Sequence, residues 1–192
     1  MEQIKAVIGL GNPGNEYRLT RHNIGFMVIR ALQKRFPIVK KRTLKGMMQV
    51  INIRLDQTEI LTVRPLTYMN RSGLAARMVT ERYHLQPQQM LVVYDDLDLP
   101  LGQMRLRHRG GAGSHRGMAD IIQLMGTDRI PRLRLGIGGE EPPADRAGYV
   151  LSPFSTEEWP RVHAMIDRAV NVIMDVVHQG IEPVMSIVNA RE

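Results

Sequence analysis

The sequence predicts an α/β fold: a single globular domain in which a twisted mixed β-sheet is flanked by helices. Three observations carry this. Short β-branched or alternating runs bounded by Gly, Pro or Asp recur along the chain, which is the strand signature. Segments with apolar residues at helical spacing fall between them, the order that βα units produce. Two strand segments also follow one another directly between Met47 and Val63, which makes a hairpin and hence an antiparallel pair in the sheet. At 192 residues and 43% apolar content the chain fills one core of ordinary size, so the domain is expected to span 1–192.

In chain order, residues 4–9 form the first strand, an apolar run that ends on glycine. Residues 23–35 follow as a helix, with Ile24, Met27, Val28, Ala31 and Leu32 on one stripe. Strands are expected at 47–54 and 59–63, a helix at 72–83, and strands at 90–94 and 104–108. A glycine-rich loop leads into a helix at 115–124, and a strand at 133–138 follows. The stretch 138–153 has no periodicity and reads as a functional loop or lid, expected to be mobile. The helix at 156–178 places Val162, Met165, Ile166, Ala169, Val170, Ile173, Val176 and Val177 on one stripe, which belongs to the core. A short helix closes the chain at 182–190. There is no internal repeat and no interdomain linker.

Twenty-six Lys and Arg against nineteen Asp and Glu leave a net charge of +7, which favours a polyanionic partner where the charge is clustered. It is clustered. Arg105, Arg107, Arg109, Arg116, Arg129, Arg132 and Arg134 stand against only Asp120 and Asp128, and a second knot lies at Lys40, Lys41, Arg42 and Lys45. Guanidinium forks match phosphate oxygens, so contact with an RNA backbone is favoured over a merely solvated face. The lack of cysteine excludes disulfides and Cys-ligated zinc and fits a reducing compartment. No apolar run reaches the roughly 18 residues of a membrane span. A soluble, cytoplasmic protein is expected.

Gly9, Gly11 and Gly14 satisfy the dinucleotide fingerprint G-x-G-x-x-G after the first strand. That fingerprint also needs a helix opening at its third glycine and an acid about 20 residues on. Here a polar stretch follows Gly14, and Arg30, Lys34 and Arg35 stand where the acid belongs. No nicotinamide, flavin or other cofactor is expected. Asp95, Asp96 and Asp98 offer oxygen ligands but lack the spacing and glycine of a calcium loop, so no metal is expected.

GLGNPG from Gly9, EYRLTRHNIGF from Glu16, RPLTYMNRSG from Arg64, VYDDLDLPLGQMRLR from Val93, GGAGSHRGMADI from Gly110 and RLRLGIG from Arg132 stand in one order over most of the chain. Together they resemble the bacterial peptidyl-tRNA hydrolase family. The resemblance implies hydrolysis of the ester joining a peptide to the 3′ end of tRNA by a monomer that engages the acceptor stem and 3′ end of peptidyl-tRNA. Histidine suits the abstraction of a proton from water near neutral pH, and His22 is the candidate base. Asp95 fills the family's place for the carboxylate that orients such a base and stabilises its imidazolium. The resemblance puts Asn12 and Asn70 at the catalytic site, Asn12 facing the peptide and Asn70 near the ester and attacking water.

Tyr17, Tyr68 and Met69 match positions that contact the substrate, the tyrosines at the single-stranded 3′ end. Arg107 and Arg134 match basic positions that grip the 5′ phosphate of the acceptor stem, on strands expected to neighbour one another. One departure concerns Arg116, where the family often has an asparagine. Arginine accepts no hydrogen bond, so Arg116 is expected to bind substrate and not to do chemistry. His115 either touches RNA or caps the helix that follows, and the sequence leaves both open. His84, His108, His163 and His178 read as surface or packing residues. A rival on the same fold is a non-catalytic RNA-binding splicing cofactor, against which His22, Asp95, Asn12 and Asn70 count.

Overall fold

The computed structural model describes residues 3–139, 141 and 143–190. Strands β1 (Ala6–Gly9), β2 (Ile38–Leu44), β3 (Met48–Leu55), β4 (Thr58–Pro65), β5 (Met90–Pro100), β6 (Met104–Arg107) and β7 (Arg132–Gly138) form one sheet in the order β2-β3-β4-β1-β5-β7-β6. The centre, β4-β1-β5-β7, is parallel, while β2, β3 and β4 form an antiparallel meander and β6 runs antiparallel to β7. The sheet is therefore mixed, as expected.

The helices are α1 (Ile24–Arg35), α2 (Ser72–Tyr83), α3 (Arg116–Met125), α4 (Arg146–Leu151), α5 (Trp159–Gln179) and α6 (Ile181–Asn189). α1, α5 and α6 cover one face of the sheet, where Val28, Leu32, Ile166, Ile173 and Val184 meet Ile53, Val93 and Leu133. α2 and α3 cover the other, where Ala76, Val79, Met118 and Ile121 meet Ile8, Val63 and Val92. Parallel strands covered on both faces must be apolar on both, and every residue of β1 is buried.

The structure corrects four readings. β2 falls on the basic knot, where no strand is expected. It is an exposed edge, so it carries no inward alternation, and its Lys40, Lys41 and Arg42 are what an edge strand uses to discourage further pairing. β5 runs on past Asp95 to Pro100 because β7 continues beside it after β1 has ended. The stretch 138–153 is not free of structure. Asp145 caps α4 by accepting from the Gly148 backbone N–H at 2.9 Å, and Glu140 and Pro142 lie outside the described residues. Finally, α5 begins at Trp159, with a turn occupying the preceding residues.

Candidate active site

The site gathers at the carboxyl ends of β1, β4 and β5, where an open α/β sheet places its ligands. At the end of β1, the Asn12 backbone N–H donates to Asn23 Oδ1 at 2.8 Å, and Asn23 Nδ2 returns a bond to Asn12 O at 2.9 Å. Asn12 Oδ1 accepts from the Met69 backbone N–H at 2.8 Å, tying this turn to the one after β4. The carboxamide Nδ2 of Asn12 has no hydrogen-bond partner among the described residues. Asn23 is not among the site residues expected from the sequence, and its two bonds to the Asn12 backbone fix the turn.

The same loop disposes of the dinucleotide reading. After Gly14 the chain makes a turn and then a 3-10 turn at Arg21–Asn23, so no helix opens at the third glycine. The glycines that matter serve packing. A Cβ on Gly25 would lie 2.4 Å from Val93 O, so only glycine lets the start of α1 rest against β5. That approach carries His22, just ahead of α1, to Asp95.

His22 Nδ1 lies 2.8 Å from Asp95 Oδ1 and 2.9 Å from Oδ2. His115 Nε2 lies 3.1 Å from the same Oδ1, while its Nδ1 accepts from the Met118 backbone N–H at 3.1 Å. A nitrogen that accepts from a backbone N–H carries no proton, so His115 is the Nε2–H tautomer and donates to Asp95. The capping option for His115 is thus correct, and the ring does a second job that the sequence did not show. Burial by itself pushes the Asp95 carboxyl up. His22 and His115 on either side more than offset this and hold it well below the ordinary carboxylate range.

His22, Asp95 and His115 also lie within 4.8 Å of one another, close enough to hold a metal. Both imidazoles instead turn an N–H to the carboxylate, which is how a base and its support are wired. Asp96 and Asp98 do not join them. Asp96 pairs with Arg134, and Asp98 accepts from Arg146 at 2.6 Å.

These groups open on a cleft of about 500 Å³, lined by Asn12, His22, Tyr68, Met69, Asn70, Asp95, Arg116 and Arg134 among others. Met69 is buried and Tyr68 and Asn70 are exposed. Arg116 is exposed at the start of α3 and makes no hydrogen bond or ion pair among the described residues. α4 supplies another wall through Arg146, Ala147, Val150 and Leu151. Two expected residues stand apart: neither Tyr17 nor Arg107 lines the cleft. Arg107 is in register with Arg132, and it is Arg105 that stands opposite Arg134.

Arg132, one of the clustered arginines, is buried and its guanidinium is spent inside the protein. It donates to Gly111 O at 2.9 Å, Asp128 O at 2.8 Å and Ile130 O at 2.9 Å, with a further short bond to Gly110 O. It clamps the glycine-rich loop that borders the cleft. Sequence reasoning counted it with the RNA-facing charges because burial is invisible in a strand of alternating arginines.

A buried carboxylate bonded to an imidazole at an open cleft, with no serine or cysteine bonded to that imidazole among the described residues, has the parts of a hydrolase that activates water. The chain belongs to the peptidyl-tRNA hydrolase family, whose sequence model matches residues 6–192. It is 47% identical to the peptidyl-tRNA hydrolase of Aquifex aeolicus over 98% of both chains. To that of Synechocystis it is 44% identical, over 98% of this chain and 97% of the other. A crystal structure of the Acinetobacter baumannii peptidyl-tRNA hydrolase superposes with a TM-score of 0.90 at 33% identity, covering 99% of this chain and 96% of that one. No described helix is long and apolar enough to cross a membrane.

Proposed function

We propose that this chain hydrolyses the ester between peptide and tRNA in peptidyl-tRNA, with His22 as the general base. The observation that carries the assignment is the bond from His22 Nδ1 to both oxygens of buried Asp95, which leaves Nε2 as the nitrogen able to take a proton. Water attacks the ester carbonyl carbon and gives its proton to Nε2, and Asp95 stabilises the imidazolium that forms. The tetrahedral intermediate collapses by breaking the bond to the ribose oxygen, which takes the proton back. The products are the free peptide acid and tRNA with its terminal hydroxyl restored.

Asn12 Nδ2 and the Asn70 carboxamide offer neutral hydrogen bonds to the peptide and to the developing oxyanion. Tyr68 and Met69 border the 3′ end of the RNA, with Tyr17 and Arg116 beyond them. Arg134 and Arg107, diagonal to one another on adjacent strands, hold the acceptor stem. All these residues come from one chain, so a monomer suffices, and a tRNA substrate places the work in the cytoplasm. His22, Asp95, Asn12 and Asn70 are all present, and the non-catalytic RNA-binding reading has no support among the relatives.

Release of an N-blocked amino acid from tRNA tests the proposal, with the same tRNA bearing a free amino group as control. The wild type is expected to cleave only the blocked substrate, and His22→Ala to abolish cleavage while still binding tRNA. Tight tRNA binding without hydrolysis by the wild type would overturn it.

A further inference from the structure

On the far side of the cleft from Arg134, α1 runs along β4. Gln33 Nε2 on α1 donates to Thr62 Oγ1 on β4 at 2.8 Å, and nearer the site the Arg64 guanidinium lies 5.5 Å from the centre of the Phe26 ring. Arg30 is one helical turn beyond Phe26, on the stripe that faces this strand. Lys34 is a further turn along. Lys41 on the edge strand β2 is in register with Ile51 and, through it, with Thr62, so it points to the same face. Between α1 and the β2–β4 meander, a basic trough results.

None of Arg18, Arg30, Arg64, Lys34 and Lys41 makes an ion pair among the described residues, unlike Arg54 and Arg77, whose acids are near at hand. Arg64 is held by Gln49 Oε1 at 2.6 Å, yet its buried Nε has no hydrogen-bond partner among the described residues. Burial first, and then the repulsion of a neighbouring guanidinium, lowers the pKa of Arg30 beside Arg18 and of Arg64 beside Arg30. With Arg18 repelling Arg30, Arg30 repelling Arg64, and no acid paired to them among the described residues, these cations gain from a shared anion.

We propose that Arg18, Arg30 and Arg64 form a second phosphate-contact site for the tRNA backbone, on the α1–β4 flank of the cleft. The placement fits an RNA whose 3′ end is at the catalytic pair. Arg18 adjoins Tyr17, and Arg30 lies eight residues after His22, about 12 Å at the helical rise, within reach of the nucleotides next to the ester. The site reads backbone, not bases. It rests on the assignment of peptidyl-tRNA as substrate, and its test separates the two.

Binding of uncharged tRNA is measured for the wild type, Arg30→Gln, Arg64→Gln and, as a control of equal charge loss, Arg77→Gln, across about 0.05 to 0.3 M salt. Each trough variant is expected to lose roughly fivefold to tenfold in affinity near 0.1 M salt and to flatten the log–log salt slope by about 0.7 to 0.9. Arg77→Gln is expected to do neither. For the trough variants, kcat/KM on N-blocked aminoacyl-tRNA falls relative to kcat/KM on an N-blocked aminoacyl ester of a mononucleotide. Arg30 is exposed on a helix, so its variant decides the outcome if Arg64→Gln unfolds. Unchanged slopes, an equal effect of Arg77→Gln, or an equal loss on the mononucleotide ester would overturn the site. A wild type that fails to hydrolyse either ester, yet shows the arginine-dependent slope, sinks the catalytic assignment and leaves the trough in place.

Discussion

Asn12 and Asn70 are two residues of one type lining the same cleft, and the fold treats them in opposite ways. Asn12 is buried, bonded through its backbone to Asn23 and through Oδ1 to Met69, and its Nδ2 amide has no hydrogen-bond partner among the described residues. Asn70 sits exposed on a 3-10 turn with no side-chain bond among the described residues. The contrast extends to the whole cleft. Its floor, Asn12, Asp95 and His115, is buried and held by hydrogen bonds, whereas its rim, Tyr68, Asn70, Arg116 and Leu151, is exposed. Groups already fixed before substrate arrives need no reorganisation as charge develops, which is where catalytic advantage is concentrated. Rim groups lose side-chain freedom on binding and so give back part of what their contacts provide.

The contrast breaks most sharply at the floor. Asp95→Asn leaves the shape but turns a carboxylate into an amide that no longer selects the His22 tautomer, and kcat is expected to fall by about 10⁴ with little change in tRNA affinity. An equal loss in affinity would show that Asp95 builds the cleft and does not serve the base. Asn70→Ala tests whether an exposed rim residue also takes part in chemistry. The expected drop in kcat is about 10² to 10³ if its amide meets the oxyanion, and a rise in KM alone would move Asn70 to binding only.

The two histidines around Asp95 also set a pH signature. Its folded pKa lies below the ordinary carboxylate value near 3.9, so its contribution to stability is fully present above about pH 4 and is lost as pH falls through the folded value. Thermal melts are expected to show a destabilisation below about pH 4 that Asp95→Asn reduces. Above that pH, Asp95 stays ionised and adds no limb to the activity profile. The smallest effect belongs to the rim. Arg146 and Asp98 form an exposed pair at 2.6 Å, so Arg146→Ala is expected to cost less than about 1 kcal/mol in denaturant unfolding, its larger consequence being a weaker wall for substrate.

Much of the molecule is legible in the chain alone. The strands of the parallel centre and the helices 72–83 and 23–35 announce themselves through period and boundary residues, and the motifs around His22 and Asp95 single out the imidazole and the carboxylate that the structure brings together. β2 is not legible, since an edge strand needs no buried face and its Lys40, Lys41 and Arg42 look like a surface loop. α4 is hidden because six residues hold too little of a period to detect, and its capping by Asp145 lies among prolines and glycines that read as loop. Arg107 and Arg134 are expected on neighbouring strands and are found there, but the offset that pairs Arg134 with Arg105 is a matter of register.

The sequence by itself determined the α/β class, the family and the residue types at the site, because these depend on local period and on short motifs read along the chain. The tertiary structure decided which polar groups were spent and which were left for substrate. Asp95 gained His115 as well as His22, Arg132 was committed to the carbonyls of a loop, and Arg18, Arg30 and Arg64 were left without acids among the described residues. Each of those outcomes joins residues many positions apart, and a hydrogen bond between distant atoms leaves no periodic trace in the chain that makes it.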